Sequence, residues 1–155
     1  MTVASEEEHV ARWTHEYGAE SVLHVANPGE PQEPADLVVA HDSLAQAPDW
    51  RAYLRALAGL ARKALVVVVR NPQSLGTVSD RLLGQGSEVD LGRTATLAPV
   101  LWELGRVREH TYLDVPKGLE DMPPSIVART ARWHAFVVDV RPRTPQARRR
   151  LLRTA

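Results

Sequence analysis

Residues 36–69, DLVVAHDSLAQAPDWRAYLRALAGLARKALVVVV, decide the fold class. Asp36–Ala40 and Leu65–Val69 are apolar without alternation, the pattern of strands covered on both faces. Between them Pro48 opens a helix with Asp49 in its first turn. Trp50, Tyr53, Leu54, Leu57, Ala58 and Ala61 follow at i, i+3, i+4, i+7, i+8 and i+11, which places them along one helix face. Strand, helix and strand in that order form a βαβ unit, so the two strands are parallel and the crossover is right-handed. The class is α/β.

Upstream, Ser5 is an N-cap and Glu8 completes a capping box, so residues 5–18 read as a helix with Gly18 as its stop. The acidic Glu6, Glu7 and Glu8 suit the positive end of the helix dipole, a charged first turn rather than a metal site. Ser21–Ala26 is a short β-type run closed by Asn27-Pro28-Gly29, and Glu30–Pro34 is loop. Downstream, Asn71–Gly92 is rich in glycine, serine and charge, with a short helix expected around Thr77–Leu83. A further helix is expected over Thr96–Leu104, with Pro99 in its first turn. Val107–Val115 and Arg132–Val140 read as strands separated by a Pro116–Pro124 loop. Their amphipathic character suits an antiparallel pair at the sheet edge.

At 155 residues the chain is long enough for one core of its own, divided here into a single domain over 1–142 and a basic tail over 143–155. Charged residues make up 25% and the formal net charge is +0, so no bulk field draws in nucleic acid or an anionic membrane. The sequence contains no cysteine, which removes disulfides, thiolate nucleophiles and cysteine-ligated metals. No apolar run approaches the roughly 20 residues of a membrane span, and the acidic N-terminal segment is unlike a secretory leader. The expectation is a soluble cytoplasmic protein that contacts neither membrane nor nucleic acid.

In the order of its pieces the chain resembles the class I S-adenosylmethionine-dependent methyltransferases (type 11-like), from about Ser5 to Pro142. Ala35–Val69 looks like that family's fourth strand, following helix and fifth strand. Asp36, Leu37, Val38 and Val39 match its strand opening, while Ala35 replaces the usual aromatic. Asn71-Pro72 after the fifth strand is common there as well. GRVREHTYLDVP and WHAFVVDVRP look like the sixth and seventh strands, the antiparallel finish. The resemblance implies an incomplete Rossmann-like methyltransferase sheet, parallel strands ending in an antiparallel pair.

One part of the family pattern is missing. The cofactor is held there by a glycine-rich turn after the first strand and an acidic residue about 20 residues on, and no G-x-G precedes Asp36. Two alignments account for this. In one, Val22–Gly29 is a degenerate first strand and turn, with a whole strand–helix–strand section deleted. In the other, Val22–Ala26 is the third strand and Thr2-Val3-Ala4 is the stump of the second. The second removes fewer residues and is preferred here.

The candidate cofactor-binding residues are Asn27, His41 and Asp42. By resemblance Asn27 falls where the family hydrogen-bonds the adenine amino group, although Asn-Pro-Gly is also ordinary turn chemistry. His41 and Asp42 follow a strand at the carboxyl edge, where α/β proteins bind ligands. There an imidazole serves as general base or cofactor neighbour, and Asp42 serves equally as a turn cap. Arg70 and Asn71 leave the next strand at the same edge, as pocket lining or solvated loop. His9 and His15 do not share a helix face, and His24, His110 and His134 lie within strands as core or edge residues. No metal site is expected. The tail's Arg143, Arg148, Arg149, Arg150 and Arg153, with Arg141 before it, read as a solvated terminus. The resemblance implies a S-adenosylmethionine-dependent methyltransferase that needs a partner chain or dimer to complete its cradle. The alternative is a non-catalytic relic serving as an interaction or regulatory subunit. Both imply a homo- or hetero-oligomer, because a truncated sheet leaves an open edge.

Overall fold

The computed structural model describes residues 5–29, 32–75, 78, 82–83 and 94–142. The expected helix over Thr77–Leu83 lies largely outside them, as do Thr2–Ala4 and the tail over 143–155.

The elements run α1 (Glu6–Glu16), β1 (Val22–Val25), β2 (Ala35–His41), a 3-10 turn (Leu44–Gln46), α2 (Trp50–Leu60), β3 (Ala61–Arg70), α3 (Thr94–Leu104), β4 (Arg106–Leu113), α4 (Pro124–Thr130) and β5 (Trp133–Asp139). They build one five-stranded sheet in the order β1-β2-β3-β5-β4. β1, β2 and β3 are mutually parallel, and β5 runs antiparallel to both β3 and β4. The sheet is therefore parallel with an antiparallel finish. β5, however, is interior, with its central residues buried, and only β4 stands at that edge.

Burial on both faces of β2 and β3 requires two covering layers. On one face α1 lays Val10 and the fully buried Trp13 over Leu37, Val39, Val66, Val68, Ala135 and Val137. The Trp13 indole N–H donates to Glu109 at 3.2 Å, and Arg12 pairs with the same carboxylate, so α1 is pinned to β4 as well. On the other face α2 and α3 pack Leu54, Leu57, Leu97 and Leu101 onto Val38, Leu65, Val67 and Phe136.

Boundaries differ from the sequence expectation in four places. Asp49 is the N-cap of α2 itself, its carboxylate accepting the Ala52 N–H at 3.0 Å. Ala61 pairs with Ala35 as the first residue of β3, because Lys63 beyond it reaches the Asp36 carboxylate at 3.1 Å and carries the strand to the sheet's amino edge. α3 begins at Thr94, which puts Pro99 inside the helix rather than in its first turn. α4, unanticipated, starts within the Pro123-Pro124 pair, whose fixed φ suits a helix N-terminus.

The sheet order also decides the position of β1. In a doubly wound sheet ordered 3-2-1-4-5-6, strand 4 lies between strands 1 and 5. With β2 and β3 as the fourth- and fifth-strand counterparts, β1 occupies the first-strand slot. The preferred third-strand alignment is therefore corrected: Val22–Val25 pair directly with Leu37–Ala40. The return from β1 to β2 is made by residues 26–34 alone, shorter than the dozen or more residues of an ordinary parallel crossover.

Among the described glycines, Gly105 marks the tightest joint. A Cβ there would strike the Asp139 carbonyl oxygen and crowd Val138, both in β5. Gly105→Ala is expected to lower the unfolding free energy by about 1–3 kcal/mol, measured as a fall in urea midpoint at unchanged m-value. Wild-type stability would show that this joint relaxes freely.

Candidate functional site

The carboxyl ends of β1, β2 and β3 open on one edge, the place where α/β sheets take ligands. Both non-glycine residues with positive φ among the described residues lie here: Asp42 (φ 51°) just after β2 and Asp114 (φ 55°) just after β4. Aspartate tolerates this left-handed conformation better than most residues. Asp42 still donates its N–H to Val68 at 2.9 Å, so the chain turns sharply without leaving the ladder.

His41 closes β2 on the face covered by α1, since it alternates with Leu37 and Val39. Its Nδ1 lies 2.8 Å from Glu6 Oε2, at the first residue of α1. Its ring rests against Trp133 with centroids 4.8 Å apart, and the Arg70 guanidinium stands 5.6 Å from the same indole. Glu6 is fixed from behind by the capping box, in which Ser5 N–H donates to Glu8 at 2.7 Å and Ser5 Oγ accepts the Glu8 N–H. The hydrogen bond and charge of Glu6 raise the His41 pKa above its ordinary value, against the opposing effect of burial. The same hydrogen bond lowers that of Glu6. Burial raises the Asp42 carboxyl, with Arg70 and His41 pulling it back.

The expected residues separate. His41 and Asp42 are both at the edge and half-buried. Asn27 is exposed, in the turn after β1, which is the position of the glycine turn in the first-strand slot. Gln46 ties the two turns together, its Nε2 donating to Ala26 O at 3.3 Å and Asp42 O at 3.5 Å. Asn71 neither lines a pocket nor is solvated. It is 2% exposed, and its Nδ2 donates to the Ala128 and Ala131 carbonyls at 2.5 and 2.8 Å, clamping the end of α4 against β3. His110 and His134, read separately in sequence, meet at 2.9 Å across β4 and β5. Among the described residues no three metal-ligating side chains converge, and no helix is long and apolar enough to cross a membrane.

Glu6 and Trp133 are the members that sequence reasoning did not single out. Helix-dipole chemistry accounts for Glu6 in the sequence, and Trp133 falls within the expected Arg132–Val140 strand. Only the packing of α1 across the sheet and the antiparallel return of β5 bring them to His41.

The fold is similar to that in the crystal structure of magnesium protoporphyrin IX methyltransferase (ChlM) from Synechocystis PCC 6803 with bound SAH. The TM-score is 0.51 at 15% identity, covering 76% of this chain and 49% of that one. The chain thus spans about half the length of that methyltransferase. A SAM dependent methyltransferase from Archaeoglobus fulgidus is similar at a TM-score of 0.47 and 13% identity, over 88% of this chain and 82% of that one. No family model matches the chain, and no curated protein matches it. The architecture is accordingly a class I methyltransferase fold in partial form, a mixed sheet with parallel strands and an antiparallel finish.

Two measurements check the site's construction. Asn71→Ala strands two carbonyls and is expected to cost about 1–3 kcal/mol in chemical denaturation; an unchanged midpoint would mean that water replaces the clamp. The Glu6–His41 pair has a defined pH window. The raised His41 contributes stability that is complete at acid pH and lost as pH rises through its folded pKa. The lowered Glu6 contributes stability that is complete above its unfolded pKa, near 4.5, and lost toward acid. Glu6→Gln should therefore destabilise most at about pH 5–6, by at most about 1 kcal/mol for a half-exposed pair. The gap to wild type should narrow as pH rises through the folded His41 pKa, which lies above the ordinary value of 6.5. A gap independent of pH would rule out the ion pair as its origin.

Proposed function

We propose that the chain is one part of a S-adenosylmethionine-dependent methyltransferase: the rear of a cofactor cradle whose front comes from a partner chain or a second copy. The observation that carries this reading is the slot of β1. Nucleosides lie outside the carboxyl ends of the first and fourth strands of such sheets, and β1 and β2 are those two strands side by side.

Taken alone, the chain does not fit the cofactor. The turn after β1 reads Ala26-Asn27-Pro28-Gly29, and neither of the positive-φ glycines among the described residues, Gly18 and Gly118, lies in it. β2 then begins at Ala35, which leaves no room for the second strand that would bring an acidic residue to the ribose. Asn27, His41 and Asp42 are the residues this chain would contribute at the shared edge. An added strand on the side of β1 that no described strand occupies is an established mode of association, because main-chain donors and acceptors at a sheet edge are ready to pair.

The bridge made by Gln46 between the two turns favours a second reading, a non-catalytic subunit in which the crevice is closed by the chain's own side chain. Calorimetric titration with S-adenosylmethionine and S-adenosylhomocysteine separates the two. The monomeric chain is expected to bind no tighter than about 1 mM, and the chain in its complex at least about tenfold tighter, a difference of 1.4 kcal/mol. Micromolar binding by the monomer would overturn the shared cradle. Absence of binding in every assembly the chain forms would leave the non-catalytic subunit.

A further inference from the structure

We propose that Glu6 and His41 form a carboxylate–imidazole base that takes a proton from an O–H or N–H group of a substrate at the carboxyl edge. This inference stands on the chain's own geometry and does not require the cofactor cradle to be complete.

The carboxylate binds one specific ring nitrogen. Nδ1 lies 2.8 Å from Glu6 Oε2, whereas among the described residues Nε2 has no hydrogen-bond partner, and the side chain is 35% exposed. A carboxylate at Nδ1 selects the tautomer with the proton on that nitrogen and leaves the Nε2 lone pair outward. This is the orientation a general base needs, with a third group fixing the imidazole from behind.

The rest of the setting suits the task. Trp133 supplies an apolar wall against one side of the ring. Glu6 from α1, Asp42 beside His41 on the chain, and Arg70 from β3 are the charged groups around the site, with His24 of β1 acting electrostatically on Glu6. In the step itself the substrate's O–H or N–H bond breaks and its electron pair stays on the heteroatom. The proton bonds to Nε2, and the imidazolium that forms is held by Glu6 at Nδ1. An imidazole strengthened in this way suits the proton of an alcohol, phenol or amine that acts as the nucleophile, with reach set by a hydrogen bond of about 2.6–3.2 Å.

The test uses the full chain with uniform nitrogen-15 labelling. Long-range proton–nitrogen correlation spectra are recorded across pH, with His41→Asn for assignment and Glu6→Gln as the perturbing variant. In the wild type, neutral His41 should carry its proton on Nδ1, the minor form of free imidazole. Its titration midpoint should lie above that of an ordinary histidine and fall in Glu6→Gln. A second readout separates a base from a merely structural ion pair. Diethyl pyrocarbonate, mapped by mass spectrometry, should carbethoxylate His41 in the folded wild type with the same pH midpoint. A neutral His41 protonated at Nε2 overturns the proposal, and so does a His41 inert to the reagent in the native chain. Neither result bears on cofactor binding, which calorimetry measures separately.

Discussion

Between Leu37 and Ala40, and again between Ala64 and Val69, every residue is buried and apolar. Strands of this kind exist only between two covering layers, because each face must lose its water. That requirement explains the placement of almost everything else. α2 is the crossover that joins β2 to β3 and covers one face with Leu54 and Leu57. α1, which lies outside any crossover between described strands, is needed on the opposite face, where Trp13 is the largest buried side chain. Asp36 is buried at the amino edge, its pKa held down first by the Glu20 N–H and then by Lys63. It belongs to the sheet's scaffold and lies at the end opposite the candidate site.

A doubly wound sheet normally surrounds its first strand with partners on both sides. Among the described strands, β1 pairs with β2 alone. β4, the other edge, carries Arg106, Arg108 and Glu109, charges that discourage further pairing, whereas β1 is Val-Leu-His-Val and relies on its shortness. The two edges are therefore unequal. The edge without arginine or carboxylate lies beside the crevice that the fold uses for ligands.

The βαβ unit was legible from residues 36–69 because its information is local: uninterrupted apolar runs and a 3.6-residue stripe leave one arrangement. The capping box at Ser5 and the antiparallel ending were legible for the same reason. The slot of β1 was not. Strand order is a long-range property, and counting deleted residues favoured a third strand where backbone pairing with Leu37–Ala40 makes it a first. α4 was missed because two prolines look like loop until their fixed φ is recognised as a helix start. At the site, His41 and Asp42 could be located from the end of an apolar strand. Asn71 was misread because its amide serves carbonyls in α4, far along the chain.

Glu6 shows why the partner of His41 escaped. Its place in the sequence is fully explained by helix-dipole chemistry, and nothing local asks for more. Yet the helix that the sheet needs for burial delivers Glu6 to the carboxyl edge. Trp13 in the core and Arg12 on Glu109 fix where α1 lies, and the Ser5–Glu8 box fixes where it begins. The carboxylate is therefore positioned by apolar packing one and two turns away rather than by its own exposed pairing, which contributes little stability. A proton-accepting pair needs its two members held to a fraction of an ångström. This chain achieves that by mounting one on the end of a buried strand and the other on the first turn of the helix that buries it.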